Sequence, residues 1–363
     1  MRTPRAVCLY GTIDDSLLYV NNEGKGKFVG MAVGRRSSDF GLTGTEDLGG
    51  GYKTYFKLEN GFSLNSGAAN QNGAMFGRQA ALGLVSPYGT LSFGTQYDVV
   101  VDALVEHTAA FNFAGSTGAN AGDVDNAWSD SFPTNTIKYR SPSFHGVAFE
   151  SMLSMPGSSL GFSHNKLVGA MVEYRGDPYY VSVVYRIADN PLTSLYYGKE
   201  GVPLSQQTLT VPWTNPIYGG YVAAASQRVF GTSFGYKFGG NTFSAMYTNT
   251  VFTDIPVAVN SDPAGFSARF QNIAVTYSYR WTPAFAFSAG AIMTYAPHSK
   301  YEEGILAADY ALSKRTDVFL IGGFMHASGR DSTGHTAVAA ITNLAPSSTS
   351  RQLAIRAGVR HNF

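Results

Sequence analysis

Across residues 352–363 the side chains fall into two alternating rows. Leu353, Ile355, Ala357, Val359, His361 and Phe363 form one, and Gln352, Arg356, Arg360 and Asn362 form the other together with Ala354 and Gly358. A strand points successive side chains to opposite faces, so the pattern predicts a strand with an apolar face, a basic face and an aromatic end. Such a strand separates oil from water. Residues 51–59 alternate in the same way, with Tyr52, Thr54, Phe56 and Leu58 against Lys53, Tyr55, Lys57 and Glu59. Residues 318–325 are apolar on both faces and fit less well, although single strands of a membrane barrel carry weak signals.

Turn signals divide the chain into two kinds of connection. Tight turns are expected at 46–50, 86–89, 142–146, 176–178, 239–241, 281–283 and 313–317. Longer polar or Gly-rich loops are expected near 21–27, 65–73, 98–133, 155–166, 188–224, 253–267, 297–302 and 328–349. Seven tight turns and eight long loops join 16 strands, and short turns on one rim with long loops on the other is the pattern of an outer-membrane barrel. A soluble β-sandwich is the competing architecture; it too buries one face of each strand, but it has no need of an aromatic carboxyl terminus.

Composition supports a barrel without proving it. Aromatic residues make up 13% of the 363-residue chain and charged residues only 14%, with 41 glycines. Mean hydropathy is -0.07. No apolar run reaches the roughly 18–20 residues of a membrane-spanning helix, so a bilayer could be crossed only by strands closed on themselves. The net charge of +1, without basic runs, gives no reason to expect a nucleic-acid partner. Cys8 is the sole cysteine, which excludes an intrachain disulfide, and it reads as a buried or interior-facing thiol. Residues 1–5 carry two arginines with no apolar stretch behind them, so the chain is expected to be a mature or re-engineered form of a secreted protein.

Short motifs in a fixed order go further. Leu9-Tyr10-Gly11-Thr12-Ile13-Asp14, the turn Gly44-Thr45-Glu46-Asp47-Leu48-Gly49-Gly50-Gly51, Leu58-Glu59-Asn60-Gly61-Phe62 and Phe76-Gly77-Arg78-Gln79-Ala80 resemble motifs of the general porins of β-proteobacteria. Tyr88-Gly89-Thr90-Leu91, Gln96-Tyr97-Asp98 and the terminal Arg360-His361-Asn362-Phe363 extend the resemblance from end to end. It implies an all-β fold: one domain over residues 1–363, a 16-stranded antiparallel transmembrane barrel with its third loop, 98–133, folded into the lumen as a constriction. It also implies a homotrimer in the Gram-negative outer membrane, in contact with outer-membrane lipid and lipopolysaccharide and passing small hydrophilic solutes by passive diffusion. Phe363 is then part of the signal read by the barrel assembly machinery, or an aromatic of the headgroup belt.

The resemblance implies a constriction with basic wall residues facing loop three. Arg78 and Arg140 match family arginines, and alternation places Lys138 on the same face as Arg140. Asp39 stands where relatives carry an arginine, and Thr95 where they carry another. In loop three Asn112 replaces a glutamate, leaving Glu106, Asp123, Asp125 and Asp130 as the acidic side chains of that segment. A unit charge about 8 Å from an ion in water contributes about 0.5 kcal/mol, so exchanging Arg for Asp moves selectivity by about fivefold before screening. Anion preference is therefore expected to be weakened or lost. Alternation assigns Asp14, Lys53, Lys57, Glu59, Arg356 and Arg360 to the wider lumen, which reads as amphoteric and mildly selective, of undetermined sign.

Catalysis has no foothold. The histidines, His107, His145, His164, His298, His326, His335 and His361, are scattered and none lies in a hydrolase or zinc motif. Gly49-Gly50-Gly51 closes a turn rather than opening a helix, so it is no phosphate loop. No enzyme, metal or cofactor is expected. Two alternatives to a general pore stand: an uptake channel preferring small organic acids, and a structural or adhesive barrel whose loop 188–224, with Tyr196, Tyr197 and Trp213, binds a partner. Asp15 and Gln79, expected on outward faces, suggest a side that meets protein.

Overall fold

The computed structural model describes residues 6–155, 164–197 and 215–363. Trp213 lies outside the described residues. Seventeen strand segments, β1 to β17, form one antiparallel sheet that closes on itself through its first strand and β17 (Arg351–Asn362). The wall nevertheless has 16 positions, because β2 (Gly26–Val33) and β3 (Ser38–Gly49) are halves of one wall strand. Both pair with the same edge of the 18-residue β1 (Ala6–Glu23), β3 along its first part and β2 along its second. Residues 34–37 between the halves take part in neither ladder.

Alternation fixes the two faces. Leu82, Phe93, Val172, Val183, Phe230, Ile273, Leu306 and Leu320 are exposed on the outside, an apolar face suited to lipid. At the short-turn rim the rings gather: Tyr179 lies 5.0 Å from Tyr236, and Phe287 4.5 Å from Phe285. Such a girdle suits the headgroup region, where an apolar ring with a polar edge is stable. Phe363 belongs to this rim. Its N–H donates to the Gly11 carbonyl at 3.0 Å, and its ring lies over Gly11, which has no side chain to obstruct it.

Between β6 (Gly89–Thr95) and β7 (Thr136–Arg140), residues 96–135 pack against wall strands distant in sequence. They open with the short helix α1 (Val99–Leu104), whose cap Asp98 accepts from the Val100 N–H at 3.2 Å. Val99, Val100 and Leu104 are fully buried against inward-pointing residues of β9 (Leu167–Gly176), β10 (Tyr179–Asp189) and β11 (Ser226–Phe238). The wall makes room with glycine: a Cβ on Gly231 would stand 2.7 Å from Leu104 Cδ1, and one on Gly169 or Gly323 would collide with Val99 or Thr117. Polar pins complete the seat. Arg186 faces Asp98 at 3.4 Å with both side chains fully buried, the Ser182 hydroxyl donates to the Ala103 carbonyl at 2.7 Å, and Asn272 donates to Asp125 at 3.0 Å.

This covering explains the weak alternation at 318–325. β16 (Thr316–Gly329) points Phe319, Ile321, Gly323 and Met325 inward, where Thr117 and the loop around Ala340 cover them and no water need be faced. Three loop and face expectations are corrected. Residues 21–27 and 297–302 are tight connections, since strands run through Glu23 and resume at Gly26, and end at Tyr295 and resume at Ser299. Gln79 points inward and is buried, because the strand β5 (Gln79–Ser86) presents Ala80, Leu82 and Leu84 outward instead.

Candidate functional site

The gap in the second wall strand builds the site. The amide of Arg36 donates to Asp14 Oδ2 at 2.8 Å, and the Ser38 hydroxyl accepts from the Asp14 N–H at 3.0 Å, so β1 holds both ends of the break. Gly34 must be glycine here, because a Cβ would overlap the Asp14 carboxylate. Freed from the ladder, Arg35 and Arg36 both reach the interior. Arg35 pairs with Asp309 and, at 3.5 Å, with Asp317, and donates to the Asn112 carbonyl at 2.7 Å. Arg36 pairs with Asp39 at 2.8 Å.

The next wall strands extend the cluster. Arg78 is 2.8 Å from Glu59 and 3.6 Å from Asp39, and donates to the Tyr97 hydroxyl at 2.8 Å. Lys57 lies 3.4 Å from Glu59, which also accepts from Tyr10 at 2.9 Å. Exposure is unequal within these pairs: the Arg36 side chain is 41% exposed and Lys57 33%, against 1% for Asp39 and 2% for Glu59. The carboxylates are far less accessible than their cations, although Glu59 also lines the cavity in front of them. Asp39 is thus a buried partner of two arginines and not an open interior charge.

A cavity of about 590 Å³ opens in front of this wall. Arg35, Arg36, Lys57 and Arg78 line one side, and Phe111, Trp128, Asp130 and Phe132 of the segment before β7 line the other. Arg356 joins the lining, but its guanidinium is occupied in holding the segment, donating from Nε to the Thr117 hydroxyl at 3.1 Å and to the Val33 carbonyl. Arg360 pairs with Asp317 at 3.0 Å. Lys53 is exposed on the inward row toward the short-turn rim.

Lys138 and Arg140 belong to a second network. Lys138 pairs with Asp102 and with Glu150 at 3.4 Å, and Arg140 with Glu150 at 3.1 Å and with Glu173. Arg175 continues the chain to Glu173 at 3.1 Å and Glu106 at 2.7 Å. Neither Lys138 nor Arg140 lines the first cavity. A second cavity of about 620 Å³ lies on this side, with Glu106, Phe111, Arg175, Tyr180 and Lys237 in its lining.

Within the segment, Asn112 spends its side-chain N–H groups on the Glu106 and Thr108 carbonyls, at 3.1 and 2.9 Å, so only its backbone carbonyl meets Arg35. Asp123 and Asp125 are buried and hydrogen-bonded, not open on the flanks as their sequence positions suggest. Burial, with Asp130 and Asp125 nearby, pushes the Asp123 carboxyl well above the usual carboxylate range. His107 stacks on Tyr180 at 4.3 Å and meets Ser233 at 3.3 Å, and burial lowers its imidazole to about 4. Sequence reasoning missed Arg35 and Arg36. The available signal is that the alternation of 26–33 loses phase at Gly34-Arg35-Arg36-Ser37.

Known proteins share this fold. A family model described as Gram-negative porin matches residues 5–330. An outer membrane porin protein of Bordetella pertussis is 37% identical over 38% of this chain and 34% of its own length, and outer membrane porin protein 32 of Delftia acidovorans 28% over 48% and 51%. The chain thus matches only a third to a half of those two relatives. The major outer membrane protein P.IB of Neisseria gonorrhoeae is 23% identical over 92% of this chain and 93% of its own. Among solved structures, an anion-selective porin from Comamonas acidovorans superposes with a TM-score of 0.75 at 20% identity, covering 99% of this chain and 100% of that one. A trimer form of OmpT from Vibrio cholerae gives 0.66 at 15%, covering 99% and 100%. With its closed barrel of 16 wall positions and an apolar outer face, the chain belongs to the Gram-negative porin family and is an integral protein of the outer membrane.

Proposed function

We propose that the chain forms a diffusion channel for ions and small hydrophilic solutes, assembled as a homotrimer, in which segment 98–133 narrows the lumen opposite Arg35, Arg36, Lys57 and Arg78. The observation that carries the reading is the unequal exposure of charge: accessible Arg36 and Lys57 paired with far less accessible Asp39 and Glu59. A passing ion meets the cations first, at the shorter distance where Coulomb energy is larger, so anions are favoured. Support comes from the Comamonas acidovorans neighbour, described as anion-selective, and from the trimer form of the Vibrio cholerae neighbour.

Planar-bilayer recording tests the reading. In a KCl gradient the reversal potential is expected to take the sign of an anion-preferring pore. Arg36→Glu moves the wall by two charges and is expected to lower the chloride-to-potassium ratio by about fivefold at low salt, and by less as salt rises. Absence of any open conductance would instead favour the structural or adhesive barrel.

A further inference from the structure

Among the described residues, Phe111 is the one that lines both interior cavities, while Asn112 beside it lines only the second. Its ring is 49% exposed, whereas Ala109, Ala110, Phe113 and Ala114 around it are buried. An apolar ring held in the open on a packed segment has no share in the core. Its backbone is nevertheless fixed: the Phe111 N–H donates to the Thr108 hydroxyl at 3.1 Å, and the next carbonyl is clamped by Arg35 at 2.7 Å. The ring therefore stands at a set place between the two cavities.

Both cavities combine rings with cations. The first sets Trp128, Phe132 and Tyr97 against Arg36, Lys57 and Arg78, with the Arg78 guanidinium 5.7 Å from the centre of the Phe132 ring. The second sets Tyr180 and Tyr236 against Arg175 and Lys237, with Arg175 4.4 Å from the centre of the Tyr180 ring. A compact anion such as chloride or acetate uses the cations alone. A carboxylate carrying a flat apolar group can use the rings as well, by stacking and by removal of apolar surface from water.

Building on the channel reading, we propose that Phe111 is a specificity-determining platform, and that the path it divides prefers aromatic carboxylates over compact anions of the same charge. The ring would pass such a solute from the first cavity to the second, where Arg175 and Lys237 stand among Glu106 and Asp177, without leaving it wholly in water. The preference is modest by design of the site, since a solute must also leave. An advantage of about tenfold, which corresponds to about 1.4 kcal/mol, is the scale expected.

The experiment uses the whole protein in planar bilayers in KCl, titrated with sodium benzoate or sodium acetate, and reads the concentration that half-blocks the current. Benzoate is expected to act at about one tenth of the acetate concentration. Phe111→Ala should collapse that ratio toward one and Phe111→Tyr, which keeps the ring, should retain it; the ratio is internal to each variant and does not depend on total conductance. Equal block by the two anions in the parent protein overturns the preference. A ratio that survives in Phe111→Ala overturns the role of Phe111, and a parent protein with no KCl conductance overturns the channel reading beneath it.

Discussion

At the scale of single residues, position decides what a charge does. Asp39 reads in sequence as a carboxylate placed where relatives have a cation, yet it is 1% exposed and bound by Arg36 and Arg78. Removing one partner of a buried ion pair leaves the other charge uncompensated, at a cost of about 3–5 kcal/mol. Asp39→Asn is therefore expected to lower the unfolding temperature of the detergent-solubilised protein and, by freeing Arg36, to raise the chloride-to-potassium ratio in bilayers. An unchanged ratio would show that Arg36 does not face the ion path. Alternation groups Lys57 with Glu59 and Arg356 with Arg360 on one row each, whereas Arg78 precedes β5 and follows from no alternation. The partners of these residues were not legible, because a period of two tells which side a residue faces but not which neighbouring strand brings an opposite charge within 4 Å.

At the scale of elements, polarity proved an ambiguous guide to loops. Asn21 and Asn22 belong to β1, and their amides bond the backbone of Leu353 and the side chain of Ser348, so their polar character reflects a strand end that meets a loop. Likewise Lys300 and Glu302 form a 2.6 Å ion pair within β15 (Ser299–Ala311). The fold class and the remaining turns were legible, since each is announced by local residue types. The glycine bed beneath segment 98–133 was not, because Gly169, Gly231 and Gly323 lie on strands far apart in sequence. His107 gives this docking a pH dependence. Its imidazole titrates near 4 when seated, below the ordinary value of about 6.5, so the unseated segment binds the proton more readily. The stabilisation from its neutral seat is complete above about pH 6.5 and is lost as pH falls toward 4. Glu106 and Glu173 favour the charged form, Arg175 and Lys237 oppose it, and burial outweighs them all. Limited proteolysis within 98–133 is expected to speed up between pH 7 and pH 4.5, and His107→Gln to flatten that change. Equal pH dependence in the variant would assign the effect to other groups.

At the scale of the whole molecule, closure rests on one seam. β1 meets β17 (Arg351–Asn362) from Thr12↔Asn362 to Val20↔Ala354, and the Phe363 ring covers the end of that ladder at Gly11. Burying part of an aromatic side chain contributes about 1–3 kcal/mol, so Phe363→Ser is expected to weaken the seam. In detergent the parent protein should sediment as three chains of 38.9 kDa and migrate as a heat-modifiable folded band, with a smaller folded fraction in the variant. An undiminished fraction would remove Phe363 from both closure and assembly.

Residues 34–37 belong to no ladder, while the strand halves before and after them each pair with β1 in its own register. Strand propensity and cross-strand pairing therefore exert no selection on Arg35 and Arg36. Arg35 is still held by Asp309, Asp317 and the Asn112 carbonyl, but the more exposed Arg36 can be exchanged without breaking a ladder hydrogen bond. The gap is a point at which permeability can evolve separately from the fold.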